Sequence, residues 1–253
     1  MNSHRPIPVL TWHKVSPAPE PGMTVVSPAR FARQLAALRR AGARPLSLED
    51  YLAADGRQPA EGRHCLLCFD DAYQCVAEHA APPLRELGWT AALFPVLGCI
   101  GGWNRWDRGL LGRRFRHLDE EGIARLLAQG WSLGLHGHSH RRLSGCGLEV
   151  LEREVVEARA ELELRFARPV RAIAWPFGCC DRRALLVAQA AGLRAGFGRG
   201  PMHPLCRPRQ MVYPPHGEAA LAAMLAGAGP DLWQRLGGLG AALSARLGGP
   251  RLV

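Results

Sequence analysis

The chain has 253 residues, of which 47% are hydrophobic and 21% charged, so it can bury a sizeable core and is not intrinsically disordered. Its 32 basic and 22 acidic residues give a net charge of +10, but with Lys14 as the single lysine this reflects an arginine-rich composition and only weakly supports an anionic partner. No apolar run reaches the roughly 18 residues of a membrane-spanning helix, and no signal peptide is visible at the N-terminus. We therefore expect a cytoplasmic protein whose eight cysteines are reduced thiols.

Short apolar runs alternate with segments of helical periodicity along the chain. Strands are expected at residues 9–12, 64–69, 90–96, 132–136, 171–175 and 195–198. Helices are expected after Ser27 and Pro28, ending near Gly42, and after the capping box that begins at Ser47. Further helices are expected at residues 75–87 (with an interruption at Pro82 and Pro83), 119–129, 148–166 and 181–190. Repeated strand–helix units favour an α/β fold with a barrel-like parallel sheet, in which reactive residues gather at the carboxyl ends of the strands.

Two further segments are assigned from their composition. Residues 103–116 are rich in Gly, Arg and Trp, and we expect a long loop over one mouth of the barrel. Residues 216–253 are expected to be a C-terminal helical extension of a single domain that spans residues 1–253. Leucines at helical spacing favour a helix packed on the barrel, with a membrane-surface or dimer helix as the alternative. These leucines are Leu232, Leu236, Leu239, Leu243 and Leu247.

Three polar clusters each follow an expected strand. Asp70 and Asp71 are adjacent carboxylates after a buried run, a costly arrangement unless they are paired or bind a cation; a helix N-cap followed by a surface acid is the alternative. His136, His138 and His140 fall within one stretch of five residues, and the i, i+4 spacing of the outer two lets both rings reach one metal ion. The third cluster, residues 171–178, reads by itself as a strand that ends in a Pro–Gly turn.

Taken together, these motifs resemble the NodB-homology polysaccharide deacetylases, carbohydrate esterase family 4. The family motif T-F-D-D-G reads Cys-Phe-Asp-Asp-Ala at residues 68–72, and H-[ST]-x-x-H reads His-Gly-His-Ser-His at residues 136–140. The motif R-x-x-x-x-P followed by an aromatic residue and Gly fits residues 171–178. The start of the chain is similar to the poly-N-acetylglucosamine deacetylase branch, in which a strand that ends in histidine, here His13, is permuted to the N-terminus. The resemblance implies a distorted (β/α)7-type barrel.

The resemblance also implies a role for individual residues. Asp71, His136 and His140 would hold one divalent metal ion, with zinc first and nickel, cobalt or iron(II) as alternatives. Asp70 would be the general base, and His13 the general acid. Arg171 would orient or pair with Asp70. Substrate contacts are implied for Tyr73, through a nearby backbone N–H at the oxyanion, and for Trp175, Pro176 and Phe177.

The reaction implied by the resemblance is hydrolysis of the N-acetyl group of an amino sugar to acetate and a free amine, in which the metal polarises the amide and its attacking water. Without an export signal, a lipid-linked or nucleotide-linked sugar is the expected substrate, with peripheral contact to the inner membrane. Four tryptophans are candidates to stack on sugar rings, with the core as the alternative for the first and last: Trp12, Trp103, Trp106 and Trp175. The sequence does not indicate the oligomeric state.

Three departures from the family pattern bear on activity. Ala72 replaces the motif glycine, and Gly137 replaces a Ser or Thr, for which Ser139 is a candidate substitute. His138 is a competing metal ligand. A catalytically impaired carbohydrate-binding protein is therefore the alternative to an active enzyme. A nucleic-acid binder is not expected, because no helix-turn-helix or aromatic-plus-basic motif is visible.

Overall fold

A computed structural model describes residues 5–18, 23–59, 61–104, 106, 114–199 and 203–237. Strands in these ranges are mostly two to four residues long, and β5 is the longest at nine residues. They are β1 (Val9–Trp12), β2 (Lys14–Val15), β3 (Val25–Val26), β4 (Ala43–Leu46), β5 (Arg63–Asp71), β6 (Ala92–Pro95), β7 (Ser132–Leu133), β8 (Ala172–Ala174), β9 (Ala195–Gly198), β10 (Arg207–Pro208) and β11 (Gln210–Met211).

Helices connect most of these strands, and a π-helical segment, Glu152–Glu157, joins the sixth helix to the seventh. The helices are α1 (Pro28–Arg40), α2 (Leu48–Ala53), α3 (Gln74–His79), α4 (Ala81–Glu86), α5 (Glu120–Ala128), α6 (Leu148–Leu151), α7 (Ala158–Phe166), α8 (Arg182–Ala190) and α9 (Glu218–Leu225). The expected starts of α1 and α2 are confirmed, because the Ser27 and Ser47 hydroxyls accept hydrogen bonds from N–H groups of the first turn. None of the helices in the described ranges is long and apolar enough to cross a bilayer.

The principal strands are parallel and form two sheets. The larger sheet has the order β11-β1-β5-β6-β7, with β4 beside the first half of β5, and the smaller has the order β10-β9-β8. Leu135, just beyond β7, pairs in parallel with Ile173 of β8, and Arg209 alone separates β10 from β11. The expected α/β barrel-like fold is thus confirmed, although the strands in the described ranges do not form one continuous closed sheet.

The two faces of β5 belong to two separate cores. Cys65 and Phe69 pack with the inward side of the surrounding helices, whereas Cys68 packs with Phe94 and Phe197 from other strands, inside the barrel. The thiols of Cys65 and Cys68 therefore point to different faces of β5, and the eight cysteines, all within the described residues, form no disulfide. Burial raises the pKa of Cys65 to about 12, as is typical of an unreactive core thiol.

Several boundaries differ from the sequence expectation for local reasons. β5 runs to Asp71, so both carboxylates lie within the strand and not after it. The break between α3 and α4 falls at Ala80, and Pro82 and Pro83 lie in the first turn of α4, where a missing N–H is tolerated. The strands β2, β3, β10 and β11 were not expected, because two residues are too few to show periodicity, and β4 was not expected because its sequence, Ala-Arg-Pro-Leu, is not an apolar run.

The predicted mouth loop and the predicted tail helix lie only partly within the described residues. Residues 107–113 of the expected mouth loop lie outside the described residues, as do Leu239, Leu243 and Leu247 of the expected tail helix. Residues 232–237 are helical, and the side chains of Leu232 and Leu236 are exposed. α9 packs against α1, so the start of the C-terminal extension contributes to the core. The single-domain assignment stays a prediction.

Candidate metal and catalytic site

Polar side chains from distant parts of the sequence meet at the carboxyl ends of the parallel strands. Asp70 and Asp71 end β5, and their strand pairs with Phe94 and Pro95 of β6. Loops that follow neighbouring strands supply the other members, which are His13 after β1, His136 and His140 after β7, and Arg209 between β10 and β11. Because the strands are parallel, these residues lie close together at one mouth of the barrel although they are far apart in the sequence, as the fold class predicts.

Asp71, His136 and His140 form a buried group whose ligand atoms all lie within 4.8 Å of one another. Asp71 Oδ1 is 3.5 Å from His136 Nε2 and 3.4 Å from His140 Nε2. Two ligand atoms at about 2.0–2.1 Å from a tetrahedral zinc ion are about 3.4 Å apart. The spacing and the donor types of these three residues therefore fit a divalent metal ion.

Burial favours the neutral form of His136 and His140, and a hydrogen bond orients the His136 ring. His136 Nδ1 is 2.5 Å from the Ala174 carbonyl oxygen, which can only accept, so Nδ1 carries the proton and Nε2 presents its lone pair to the site. Burial lowers the pKa of His136 and lowers the pKa of His140 well below the usual range. Neutral imidazole is the form that binds a metal ion. His138 is not part of the group; its ring lies beside Gly98.

Asp70 lies beside the metal group in a charged environment of its own. Its Oδ2 is 2.6 Å from Arg209 Nη1 and 3.9 Å from His13 Nε2. Burial alone would raise the pKa of Asp70, but Arg209 and the adjacent histidines outweigh burial, so the pKa is lowered and the side chain is a carboxylate. Asp70 Oδ1 is buried and has no hydrogen-bond partner among the described side chains and backbone, so it can accept a proton.

His13 is the most accessible of these groups, with 19% of its side chain exposed. Burial lowers the pKa of His13 to about 4, and the opposing effect of Asp70 is smaller. His13 is therefore neutral at neutral pH before any reaction, and it must gain a proton before it can act as an acid.

A sequence profile of the family described as Polysaccharide deacetylase matches residues 57–196, which is more than half of the chain. The chain belongs to the polysaccharide deacetylase family. A poly-beta-1,6-N-acetyl-D-glucosamine N-deacetylase of Staphylococcus aureus (strain MRSA252) is 23% identical over 181 residues, which cover 68% of this chain. The chain spans 60% of the length of that relative, and 65% of the length of a second curated relative, from Bacillus subtilis.

Solved structures support the fold of this family member. The deacetylase PplD of Streptococcus pyogenes, in complex with acetate, superposes with a TM-score of 0.74 at 20% identity and covers 87% of this chain and 98% of its own. IcaB from Ammonifex degensii superposes with a TM-score of 0.72 at 24% identity and covers 87% of this chain and 97% of its own. At these identities the similarity establishes the deacetylase fold, and the site must be argued from the residues of this chain.

The expected pairing of Arg171 with Asp70 is wrong in this family member. Arg171 precedes β8, at the opposite end of that strand from Pro176, and its side chain is exposed. Arg209 occupies the place beside Asp70 instead. The motif spacing predicted the position of β8 correctly. The carboxyl end of β8 lies at the site, however, whereas Arg171 lies at its amino end.

The expected substrate-binding residues have different surroundings. Trp175 is fully buried and its Nε1 donates to the Leu205 carbonyl, so its ring belongs to the core and the expected sugar contact is wrong. Pro176 is also buried, next to Gly137. Phe177 is half-buried, with its ring edge-on to His140 at 4.8 Å between centroids. Tyr73 is buried below Lys14, and an oxyanion role for a nearby N–H stays a prediction.

Of the candidate sugar-stacking tryptophans, Trp12 lies in the core and Trp106 lies at the site. Trp12 is a core residue whose Nε1 donates to Gln34. Trp106 stacks on the His140 ring, with 4.0 Å between centroids and 14° between planes. Trp106 and Phe177 therefore both pack against the His140 ring.

Three residues of the site were missed at the sequence level. Arg209 is one of many arginines, and nothing in its neighbours marks it. His117 is buried, and its Nδ1 lies 2.6 Å from the Asp71 carbonyl oxygen. Glu154 is buried and hydrogen-bonded to the segment between His136 and His140. Of the three, only Glu154 could have been found from the sequence, because it is a carboxylate on the apolar face of a predicted helix.

Proposed function

We propose that this family member is a metal-dependent N-deacetylase that removes the acetyl group from an N-acetylated amino sugar of a glycan. The observation that carries the proposal is the ligand spacing of Asp71, His136 and His140 beside an ionised Asp70. Several relatives are named poly-beta-1,6-N-acetyl-D-glucosamine N-deacetylases, which supports the substrate class. Zinc is the first choice of metal, with nickel, cobalt and iron(II) as alternatives.

Asp71, His136 and His140 would hold the ion, which supplies Lewis-acid polarisation of the acetamide carbonyl and of a water molecule. Asp70 would take the proton from the water that attacks the carbonyl carbon, because its Oδ1 has no competing partner among the described residues. Arg209 keeps Asp70 ionised before that step.

His13 would complete the reaction on the leaving group. The bond between the carbonyl carbon and the amine nitrogen breaks only when the nitrogen is protonated, because an amide anion is a poor leaving group. His13 is neutral at the start, so it would receive a proton from the Asp70 carboxyl group, whose Oδ2 lies 3.9 Å from His13 Nε2, and donate it to the nitrogen. The products are acetate and the free amine.

The test compares Asp70→Asn with the unaltered protein for metal content and acetate release. We expect Asp70→Asn to keep its metal and to lose activity by about 100-fold or more, as for removal of a general base. Glu61→Gln, at an exposed acid far from β5's carboxyl end, is the control and should match the unaltered protein. Full activity in a metal-loaded Asp70→Asn protein would refute the proposed base.

The substrates in that assay should include β-1,6-linked N-acetylglucosamine oligomers, nucleotide-linked N-acetylated sugars and lipid-linked ones. The cytoplasmic location and the peripheral contact with the inner membrane stay predictions, and activity on the nucleotide-linked or lipid-linked substrates would support them. Glycan binding without acetate release, under each of the four metals, would favour the alternative of a catalytically impaired carbohydrate-binding protein.

A further inference from the structure

Glu154 is a buried carboxylate directly behind the loop that carries the two ligand histidines. It lies in the π-helical segment Glu152–Glu157, and only 2% of its surface is exposed. Its neighbours on the same helix face are the buried side chains of Leu151, Val155 and Ala158. A carboxylate on such a face is unfavourable unless its oxygens accept hydrogen bonds.

Both oxygens of Glu154 accept hydrogen bonds from residues between the histidines. Oε2 accepts from the backbone N–H of His138 at 2.8 Å and from the backbone N–H of Ser139 at 3.0 Å. Oε1 accepts from the Ser139 hydroxyl. Because only three residues separate His136 from His140, these bonds fix the centre of the loop while the Ala174 carbonyl fixes the His136 ring.

The backbone of this loop has a left-handed conformation at two residues. Gly137, the first residue of the connection, has a φ of +79°, and His140, which follows the connection directly, has a φ of +56°. Left-handed conformations away from glycine persist only where surrounding contacts hold them. At Gly137 a Cβ would come within 2.9 Å of Glu154 Oε2, so the carboxylate occupies the space that a serine or threonine side chain would need.

We propose that Glu154 is a positioning residue of the metal site: its carboxylate holds residues 137–139 in the conformation that brings both histidine Nε2 atoms to Asp71. The inference rests on the proposed metal-dependent function and adds a residue to it. It also supports Ser139 as the substitute for the motif Ser or Thr that Gly137 replaces, because the Ser139 hydroxyl donates to Glu154.

Hydrogen-bond geometry, and not charge, is the property that this role requires. In Glu154→Gln the amide oxygen can accept both backbone N–H bonds while the amide NH₂ donates to the Ser139 oxygen. In Glu154→Met a side chain of similar length and flexibility offers no acceptor of comparable strength. The two variants therefore separate loss of the hydrogen bonds from loss of the charge.

The experiment measures Zn²⁺ affinity of the full chain by competition with a chromogenic chelator, and the visible spectrum of the Co²⁺-loaded protein. We expect Glu154→Met to bind Zn²⁺ 10–100-fold more weakly, the usual loss when a residue that orients ligands is removed, and to alter the Co²⁺ spectrum. Glu154→Gln should stay close to the unaltered protein in both. Glu157→Met, at an exposed acid of the same π-helical segment, is the matched control and should change neither.

Unchanged Zn²⁺ affinity in folded Glu154→Met would overturn the inference, and so would equal losses in the Met and Gln variants. Should Glu154→Met not fold, Ser139→Ala decides: weaker Zn²⁺ binding by the folded variant supports the role, and unchanged binding overturns it. A failure of the proposed function can be told apart from these outcomes, because the unaltered protein would then bind metal but release no acetate.

Discussion

Asp70 and Asp71 are neighbours on one strand and both lie near His136, yet the other groups around them differ. Asp71 faces two imidazoles that burial keeps neutral, and His136 is oriented by a carbonyl group. Asp70 faces the guanidinium of Arg209, which keeps its carboxylate ionised. Asp71 thus lies among imidazole nitrogens at a spacing that fits a divalent ion, whereas Asp70 is paired with a cationic side chain of the protein.

This difference explains how two adjacent acids can take different roles in one small space. The neutral histidine pair beside Asp71 is in the protonation state that binds a divalent ion. A built-in arginine leaves Asp70 charged without placing it in the ligand group, so it can accept a proton. Changes on the two sides should therefore have different consequences for stability, pH dependence and activity.

Arg209→Met should have the largest effect, because it leaves the buried charge of Asp70 without its partner. Breaking a buried ion pair from one side typically costs about 3–5 kcal/mol of folding free energy. We expect a loss of that order in urea unfolding, near-complete loss of acetate release, and partial recovery in Arg209→Lys, which restores the charge but not the guanidinium geometry.

Arg171→Met is the control for that experiment, since Arg171 is the exposed arginine of the family motif. It should change the unfolding free energy by no more than about 0.5 kcal/mol, as is usual for surface positions. If Arg171→Met were the damaging variant and Arg209→Met the silent one, the pairing of Arg209 with Asp70 would be refuted.

The pH dependence of the metal-free protein should follow the neutral histidines. Burial lowers the pKa of His13 and of His117 to about 4, and lowers the pKa of His136 and His140 as well. The unfolded chain therefore takes up protons first as the pH falls below about 6.5, so stability is complete above that pH and declines towards pH 4. Each histidine contributes a slope of about 1 kcal/mol per pH unit within that window.

Urea unfolding at pH 7, 6 and 5 checks this slope, and His117→Asn should reduce it by roughly one proton. The lowered pKa of Asp70 acts in the same direction, but its contribution is lost only as the pH falls through the still lower native value. A stability that stays flat between pH 7 and pH 5 would contradict the neutral state of the buried histidines.

Ala72→Gly should have the smallest effect, and it probes the strained end of β5. Ala72 has a φ of +55°, a left-handed conformation that a non-glycine residue adopts at a cost of about 1–2 kcal/mol. Ala77→Gly, within α3, is the comparison, because glycine in a helix loses about 0.5–1 kcal/mol. We expect Ala72→Gly to be more stable than Ala77→Gly by about 1 kcal/mol in urea unfolding, and equal values would argue against strain at Ala72.

The sequence predicted those parts of the site that depend on local spacing. His136 and His140 are four residues apart and Asp71 ends a buried run, so both halves of the metal group are visible as short motifs. The longer alternating strands and the capped helices are visible for the same reason, because periodicity and cap chemistry are properties of neighbouring residues.

Residues that depend on long-range pairing were not predictable in this way. Arg209 reaches Asp70 only because β11 pairs with β1, which lies at the other end of the sequence. The motif arginine, Arg171, has the right spacing but lies at the wrong end of its strand. Glu154 was within reach, since a charged residue on a buried helix face requires a specific set of partners.

The backbone around Arg209 connects the two sheets, because β10 pairs with β9 on one side and β11 pairs with β1 on the other. The side chain that keeps Asp70 ionised is therefore attached to the connection itself. Any local opening of residues 207–211 withdraws that guanidinium and favours protonation of Asp70. We therefore expect a variant with faster amide exchange in this segment to lose its activity at a higher pH as the solution is made acidic.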